Sequence, residues 1–147
     1  AYILEGINSI ASIRKEHMMI EADGQIYEDD YIFGAISNST SLAGILTLNP
    51  KLVDMSDGRF ELLLVKAPND LIDLAEIVYM LNSQNYESNR LVFINGSEFK
   101  IHADKNTSWS LDGEYQEGCE EIEVKNLHHA IELMMAGHSQ RGGRKHE

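Results

Sequence analysis

The sequence predicts a mainly β domain, an antiparallel β-sandwich with one or two helices. Three observations lead there. Short alternating or continuous apolar runs recur along the chain, Asp-Gly or Asn-Gly dipeptides punctuate it at residues 23–24, 57–58, 95–96 and 112–113, and only two segments carry convincing helical spacing. At 147 residues, 43% of them hydrophobic, the chain is long enough to bury one core.

Taken in order, Tyr2 to Ala11 carries Ile3, Ile7 and Ile10 at helical spacing and predicts a short helix. His17 to Ala22 and Gln25 to Glu28 flank Asp23-Gly24, a hairpin signal. Asp29-Asp30 is expected to break the run before a further strand at Tyr31 to Ile36. Ser37 to Leu48, rich in Ser, Thr, Asn and Gly, reads as a loop closed by Asn49-Pro50. Phe60 to Lys66 is almost continuously apolar, as a central strand is.

Pro68-Asn69-Asp70 opens a helix with the stripe Leu71, Leu74, Ala75, Val78 and Leu81, and Asp70 and Asp73 suit its N-terminal dipole end. Asn95-Gly96 predicts a two-residue hairpin with Ile94 opposite Ser97, Val92 opposite Phe99 and Arg90 opposite Ile101. That register puts Val92, Ile94, Phe99 and Ile101 on one face. Ser108 to Leu111 and Glu120 to Lys125 make two more strands. Residues 127–135 fit a helix through Leu127, Ala130, Ile131 and Met134, yet 130–134 would also serve as a last strand. One domain is expected over residues 1–136. Residues 137–147 read as a flexible tail, since His138 to Glu147 contains no apolar side chain.

The charge balance narrows the partners. Asp and Glu number 24 against 12 Lys and Arg, a formal net charge of −12. Such a surface repels phosphate backbones and argues against nucleic acid. It also requires any contact with anionic lipid to be local. The single cysteine, Cys119, excludes an internal disulfide, fits a reducing cytoplasm and reads as a buried or idle thiol. No stretch approaches the roughly 20 apolar residues of a membrane span, and the opening residues read as a mixed helix rather than a secretory leader.

A plain turn is the default for any Asp-Gly pair. Only Asp112-Gly113 is followed by an acid, Glu114. In an extended segment, residues two apart share a face, so Asp112 and Glu114 would converge. Paired carboxylates raise one pKa or hold Mg²⁺ jointly, and either suits a base that takes a proton from a hydroxyl. Other candidates are weaker. His128 and His129 would point to opposite faces of a strand, His17 and His102 stand alone, and Ser39-Thr40-Ser41 lacks the Lys and Gly spacing of a phosphate loop. Trp109, Met18-Met19 and Met134-Met135 read as core.

The order of several blocks is more specific than any one of them. A strand ends in Ile36-Ser37-Asn38 and is followed by a loop with Gly44. Asn49-Pro50 leads to Asp57-Gly58 just before Phe60-Glu61-Leu62. A helix and a hairpin follow, then Trp109-Ser110-Leu111-Asp112-Gly113-Glu114 and the strand Ile122-Glu123-Val124. From Tyr2 to about Met135 this order resembles the C-terminal half of bacterial diacylglycerol kinase and sphingosine kinase-like lipid kinases.

The resemblance implies one lobe of a two-lobed enzyme. The family's N-terminal lobe binds ATP through a Gly-Gly-Asp-Gly-Thr motif, which this chain does not contain, and its C-terminal lobe is an antiparallel sandwich. Asp112 matches the family's general base, and Glu114 the acid that organises Mg²⁺ and Asp112. Asp57, with the backbone carbonyls of Asp54 and Arg59, matches a structural Mg²⁺ position, against an equally weighted plain turn. The implied cofactors are Mg²⁺ and ATP, the latter bound mainly by the other lobe. The implied partners are a lipid acceptor such as diacylglycerol and the ATP-binding lobe of the same protein, with a homodimer left open. The expected place is the cytoplasm, peripheral at the inner face of the membrane, and the chain is expected to be inactive alone. The loop from Ser39 to Gly44 is poorer in glycine than in many members, which leaves the acceptor open. The competing readings are a non-catalytic β-sandwich binding or interaction module, a sphingoid-lipid kinase, and a relative of the NAD kinases.

Overall fold

A computed structural model describes residues 13–42, 46–54 and 56–127. The helix expected at Tyr2 to Ala11, the segment from His128 onward and the tail lie outside the described residues, as do Gly44 and Met55.

Within those residues lie β1 (Glu16–Ala22), β2 (Gln25–Ser37), β3 (Ser41–Leu42), β4 (Leu46–Thr47), β5 (Phe60–Lys66), α1 (Leu71–Ser83), β6 (Leu91–Gly96), β7 (Glu98–His102), β8 (Trp109–Leu111), β9 (Glu114–Gln116) and β10 (Glu121–Lys125). A single 3₁₀ turn, Pro50–Leu52, precedes β5. Six strands form one sheet in the order β10-β7-β1-β2-β5-β6, and β3-β4 and β8-β9 are separate hairpins. Every pairing is antiparallel. The mainly β, antiparallel class expected from the sequence is borne out.

The sheet folds over on itself, which is how six strands enclose a core. Ser97 alone separates β6, at one end of the strand order, from β7, next to the other end. The same turn of the chain gathers Met18, Ile20 and Ala22 of β1, Tyr31 of β2, Leu62 and Leu64 of β5, and Phe99 and Ile101 of β7 into one buried cluster. Strands that pass from one half of a packed sheet to the other at a corner produce this arrangement.

The outer face of the β2-β5-β6 half is covered separately. Leu63 of β5 packs with Leu42 and Leu48, and Val65 packs with Ile77 of α1 and Leu91. Burial of β5 on both faces explains its continuous apolar run.

Three expectations need correction. Asp29-Asp30 does not break the strand: β2 runs unbroken from Gln25 to Ser37, with a bulge between Tyr31 and Phe33. The charges are met on the sheet surface, Asp30 by His17 and Lys15 and Asp29 by Lys66. The loop expected over Ser37 to Leu48 contains the β3-β4 hairpin, because Leu42 and Leu48 find buried places against Leu63.

Asn95-Gly96 is not a hairpin turn. β6 pairs with β5, while β7 pairs with β1 and β10. The glycine serves a close approach instead, since a Cβ at residue 96 would lie 2.9 Å from the buried Phe99 ring. Val92, Ile94, Phe99 and Ile101 nevertheless pack on the same core, as expected.

The helix predicted after Asp70 is α1. Asp70 caps it by accepting the Asp73 N–H at 2.8 Å, and the Asp73 carboxylate reaches back to the Asn69 N–H at 2.9 Å. No helix among the described residues is long and apolar enough to cross a membrane.

Candidate functional site

The acidic pair sits on the β8-β9 hairpin. Leu111 pairs with Glu114, and Asp112-Gly113 forms the two-residue turn, with φ of 51° and 85°. Two successive residues at positive φ define the type I′ turn that matches strand twist, and Asp-Gly is a preferred sequence for it. The pair is therefore not on an extended segment. Asp112 is the first turn residue and Glu114 the first residue of β9, so strand alternation does not align the two side chains.

Both carboxylates are exposed. The hairpin is anchored by half-buried Trp109, which packs on the main core, while Leu111 and Tyr115 are 65% and 71% exposed. No hydrogen bond or ion pair engages Asp112 or Glu114 among the described residues. Two exposed carboxylates with no such partner among the described residues have the chemistry to take a hydroxyl proton or a cation.

The second candidate lies in the loop before β5. Asp54 Oδ1 accepts the Ser56 N–H at 2.9 Å and its hydroxyl at 2.8 Å, which hold the Asp54 carboxyl below its ordinary range. Asp57 Oδ1 accepts the Arg59 N–H at 2.8 Å. These Asx turns shape the loop.

The Arg59 side chain then crosses to Asn95 on β6. Its Nε donates to Asn95 Oδ1, and its Nη2 donates to the Asn95 carbonyl at 2.9 Å and to Asp23 Oδ2 at 2.7 Å. With Oδ1 so engaged, the Asn95 NH₂ faces two acids, Glu61 Oε1 at 3.1 Å and Asp57 Oδ2 at 3.5 Å. Glu61 stands directly across from Asn95 in the β5-β6 register and is fully buried. Burial pushes its carboxyl up and the Asp57 charge adds to this, against hydrogen bonding from its own backbone N–H, the Asn95 amide and the Asp54 N–H. Its Oε2 makes no hydrogen bond of acceptable geometry.

Sequence reading singled out Asp57, with the carbonyls of Asp54 and Arg59, and missed Asp23, Glu61, Asn95 and the Arg59 guanidinium. One signal was present: Glu61 is a lone acid inside the apolar run Phe60 to Lys66. An acid there has to be explained by a partner. No hydrogen bond or ion pair joins this group to Asp112 or Glu114 among the described residues.

The fit of the loop to a metal can be judged from its donors. Among the described residues no three or more His, Cys, Asp or Glu side chains gather to hold an ion. Two carboxylates with backbone carbonyls are what the loop offers, and all-oxygen donors of this kind suit a hard cation such as Mg²⁺. The orphaned Glu61 oxygen agrees with a need for positive charge.

The remaining candidates resolve simply. His17 lies between Glu28 and Asp30 on the sheet surface. The Ser37, Ser39 and Ser41 segment is closed on itself, its hydroxyls bonding to neighbouring backbone. Cys119 is exposed, not buried, and its thiol meets the Glu121 carbonyl at 3.0 Å. His128, His129, Met134 and Met135 lie outside the described residues.

Comparison with known proteins agrees with the order of blocks. No family model matches the chain. Over 136 residues, 92% of its length, the chain is 26% identical to diacylglycerol kinase of Bacillus subtilis, covering 44% of that protein. It is 23% identical over 116 residues to diacylglycerol kinase of Staphylococcus carnosus, covering 78% of this chain and 37% of that one. Its fold matches the crystal structure of a diacylglycerol kinase from Bacillus anthracis with a TM-score of 0.58 at 19% identity, over 85% of this chain and 43% of that one. The expected resemblance to bacterial diacylglycerol kinases is thereby borne out. The chain spans less than half the length of the curated relatives it matches.

Proposed function

We propose that this chain, similar along nearly all its length to part of bacterial diacylglycerol kinases, is the acceptor-side domain of an ATP-dependent lipid kinase. The observation that carries the reading is the acidic hairpin. Within a chain so aligned, Asp112 and Glu114 are held at an I′ turn, exposed and engaged by no hydrogen bond or ion pair among the described residues.

In the proposed reaction Asp112 accepts the proton of a lipid hydroxyl. The hydroxyl oxygen bonds to the γ-phosphorus of ATP as the bond to the bridging oxygen breaks, and ADP leaves. Glu114 supports Asp112 and helps position Mg²⁺. Such transfer is mostly positioning and charge neutralisation, so exposed carboxylates completed by a second lobe suffice. Mg²⁺ supplies neutralisation of the phosphate charge. A divalent ion in the loop before β5 would be held by the Asp57 carboxylate and the carbonyls of Asp54 and Arg59.

Diacylglycerol is the acceptor named by the relatives, and phosphatidate is the product it would give. A lipid acceptor places the reaction at a membrane surface, on the cytoplasmic side where ATP is available. The −12 charge of this chain leaves attachment to a local patch or to another part of the protein.

The test is Asp112→Asn in the complete enzyme. Loss of at least about 100-fold in turnover is expected, the scale of a lost general base, with an unchanged circular dichroism spectrum and melting curve. Lipid phosphorylation at the wild-type rate would remove Asp112 from the chemistry.

A further inference from the structure

The β8-β9 hairpin leaves large apolar side chains open to solvent, and Leu111, directly before Asp112, is one of them. In the hairpin register Leu111 stands opposite Glu114, Ser110 opposite Tyr115 and Trp109 opposite Gln116. Directly opposed residues share a face, and every second residue of a strand returns to it. Trp109, Leu111 and Glu114 therefore line one face of the hairpin, and Ser110 and Tyr115 the other. Trp109 packs on the main core, so its face is the one turned toward the body of the domain.

Along that face the side chains run from half-buried Trp109 through exposed Leu111 to the acids of the turn. A leucine 65% exposed beside two carboxylates gains little from folding. The arrangement does match an amphiphile. A hydroxyl and the hydrocarbon that carries it are only a few bonds apart. An acceptor whose hydroxyl reaches Asp112 therefore brings its apolar part to the neighbouring side chain. Between Trp109 and Gly118 the chain has three acids, Asp112, Glu114 and Glu117, and no Lys or Arg. An anionic headgroup would be repelled there, so the acceptor is a lipid alcohol without negative charge.

We infer that Leu111 seats the apolar part of the acceptor, directed along the Trp109 face of the hairpin, and so sets acceptor affinity. The inference rests on the reading of Asp112 as the base that receives the hydroxyl proton. Tyr115, 71% exposed on the opposite face, is the built-in control.

The experiment is steady-state kinetics of the complete enzyme with diacylglycerol in mixed micelles, comparing the wild type with Leu111→Ser, Leu111→Met, Tyr115→Ser and Asp112→Asn. Leu111→Ser should raise KM for the lipid about tenfold, the low end of what burying one leucine side chain contributes to binding. Its kcat and its KM for ATP should stay within about twofold of wild type, the signature of lost uniform binding. Leu111→Met should restore the wild-type KM, and Tyr115→Ser should keep it. A Leu111→Ser enzyme with an unchanged lipid KM would overturn the role of Leu111. So would a loss carried by kcat or by KM for ATP, which would assign the residue to the base or to the contact between lobes. Equal rises in lipid KM for Leu111→Ser and Tyr115→Ser would overturn the one-sided seat in favour of a lipid surface around the whole tip. Wild-type turnover by Asp112→Asn would remove the base and this inference with it. A slow Asp112→Asn beside an unaffected Leu111→Ser would remove Leu111 alone.

Discussion

His17 shows how a single residue acquires meaning only through register. In the sequence it stands alone, but β1 and β2 set it directly opposite Asp30. Its ring nitrogens meet Glu28 Oε1 at 3.0 Å and Asp30 Oδ1 at 2.8 Å, and these bonds, Glu28 first, raise its pKa above the ordinary value. Lys15, 3.5 Å from Asp30, is the competing cation. A raised folded pKa means the pairing contributes fully below the unfolded pKa, about 6.5, and fades as pH rises through the folded value. At the acid end the contribution falls away as the carboxylates take up protons. The melting temperature of His17→Gln should thus fall below wild type at about pH 5.5 and converge with it at about pH 8.5. A gap independent of pH would mean that charge plays no part. The same lesson applies to Glu61 and Asn95. Neither could be paired from sequence, because the Asn-Gly dipeptide signals a local turn so strongly that the non-local β5-β6 register is hidden behind it.

Among the elements, α1 was legible in its start and misread in most of its facing. Asp70 and Asp73 mark its start in both sequence and structure. The buried side, however, is Ile77 with Met80 and Leu81 against Val65, Leu91 and Tyr86, while Leu71 and Val78 of the expected stripe are exposed. The helix carries apolar residues on nearly every side, so periodicity alone selects no face and the sheet it packs on decides. Ile77→Ala should cost roughly 2–4 kcal/mol in urea unfolding, as removal of buried methyl groups does. Val78→Ala should stay within about 0.5 kcal/mol. Equal losses at both positions would restore the original stripe. The β8-β9 hairpin is the opposite case. Asp112-Gly113 was read by default as a turn, and the turn is there. The extended geometry that would have aligned Asp112 with Glu114 is not, because a glycine beside an acid favours φ above zero at both positions.

For the molecule as a whole, composition and alternation were enough for the class of fold, and motif order was enough for the resemblance. What they could not supply was the folding of one six-stranded sheet onto itself, which depends on pairings between strands far apart in sequence. That folding buries a core of the chain's own, so the domain has the means to be stable by itself. Catalysis is a different matter. The acidic hairpin projects into solvent, the chain lacks the Gly-Gly-Asp-Gly-Thr sequence of the family's ATP lobe, and it spans less than half of the diacylglycerol kinases it matches. Nothing on the hairpin is placed to hold a triphosphate, and phosphoryl transfer depends almost wholly on holding donor and acceptor in line. The purified chain, given ATP, Mg²⁺ and diacylglycerol in mixed micelles, should therefore melt cooperatively and yet transfer no phosphate above the protein-free background. Addition of a separately expressed ATP-binding lobe should restore transfer only if the two lobes close on each other, and then only with Asp112 intact. A measurable rate from the chain alone would show that the acidic hairpin carries its own nucleotide site, and the division of labour between two lobes would have to be abandoned.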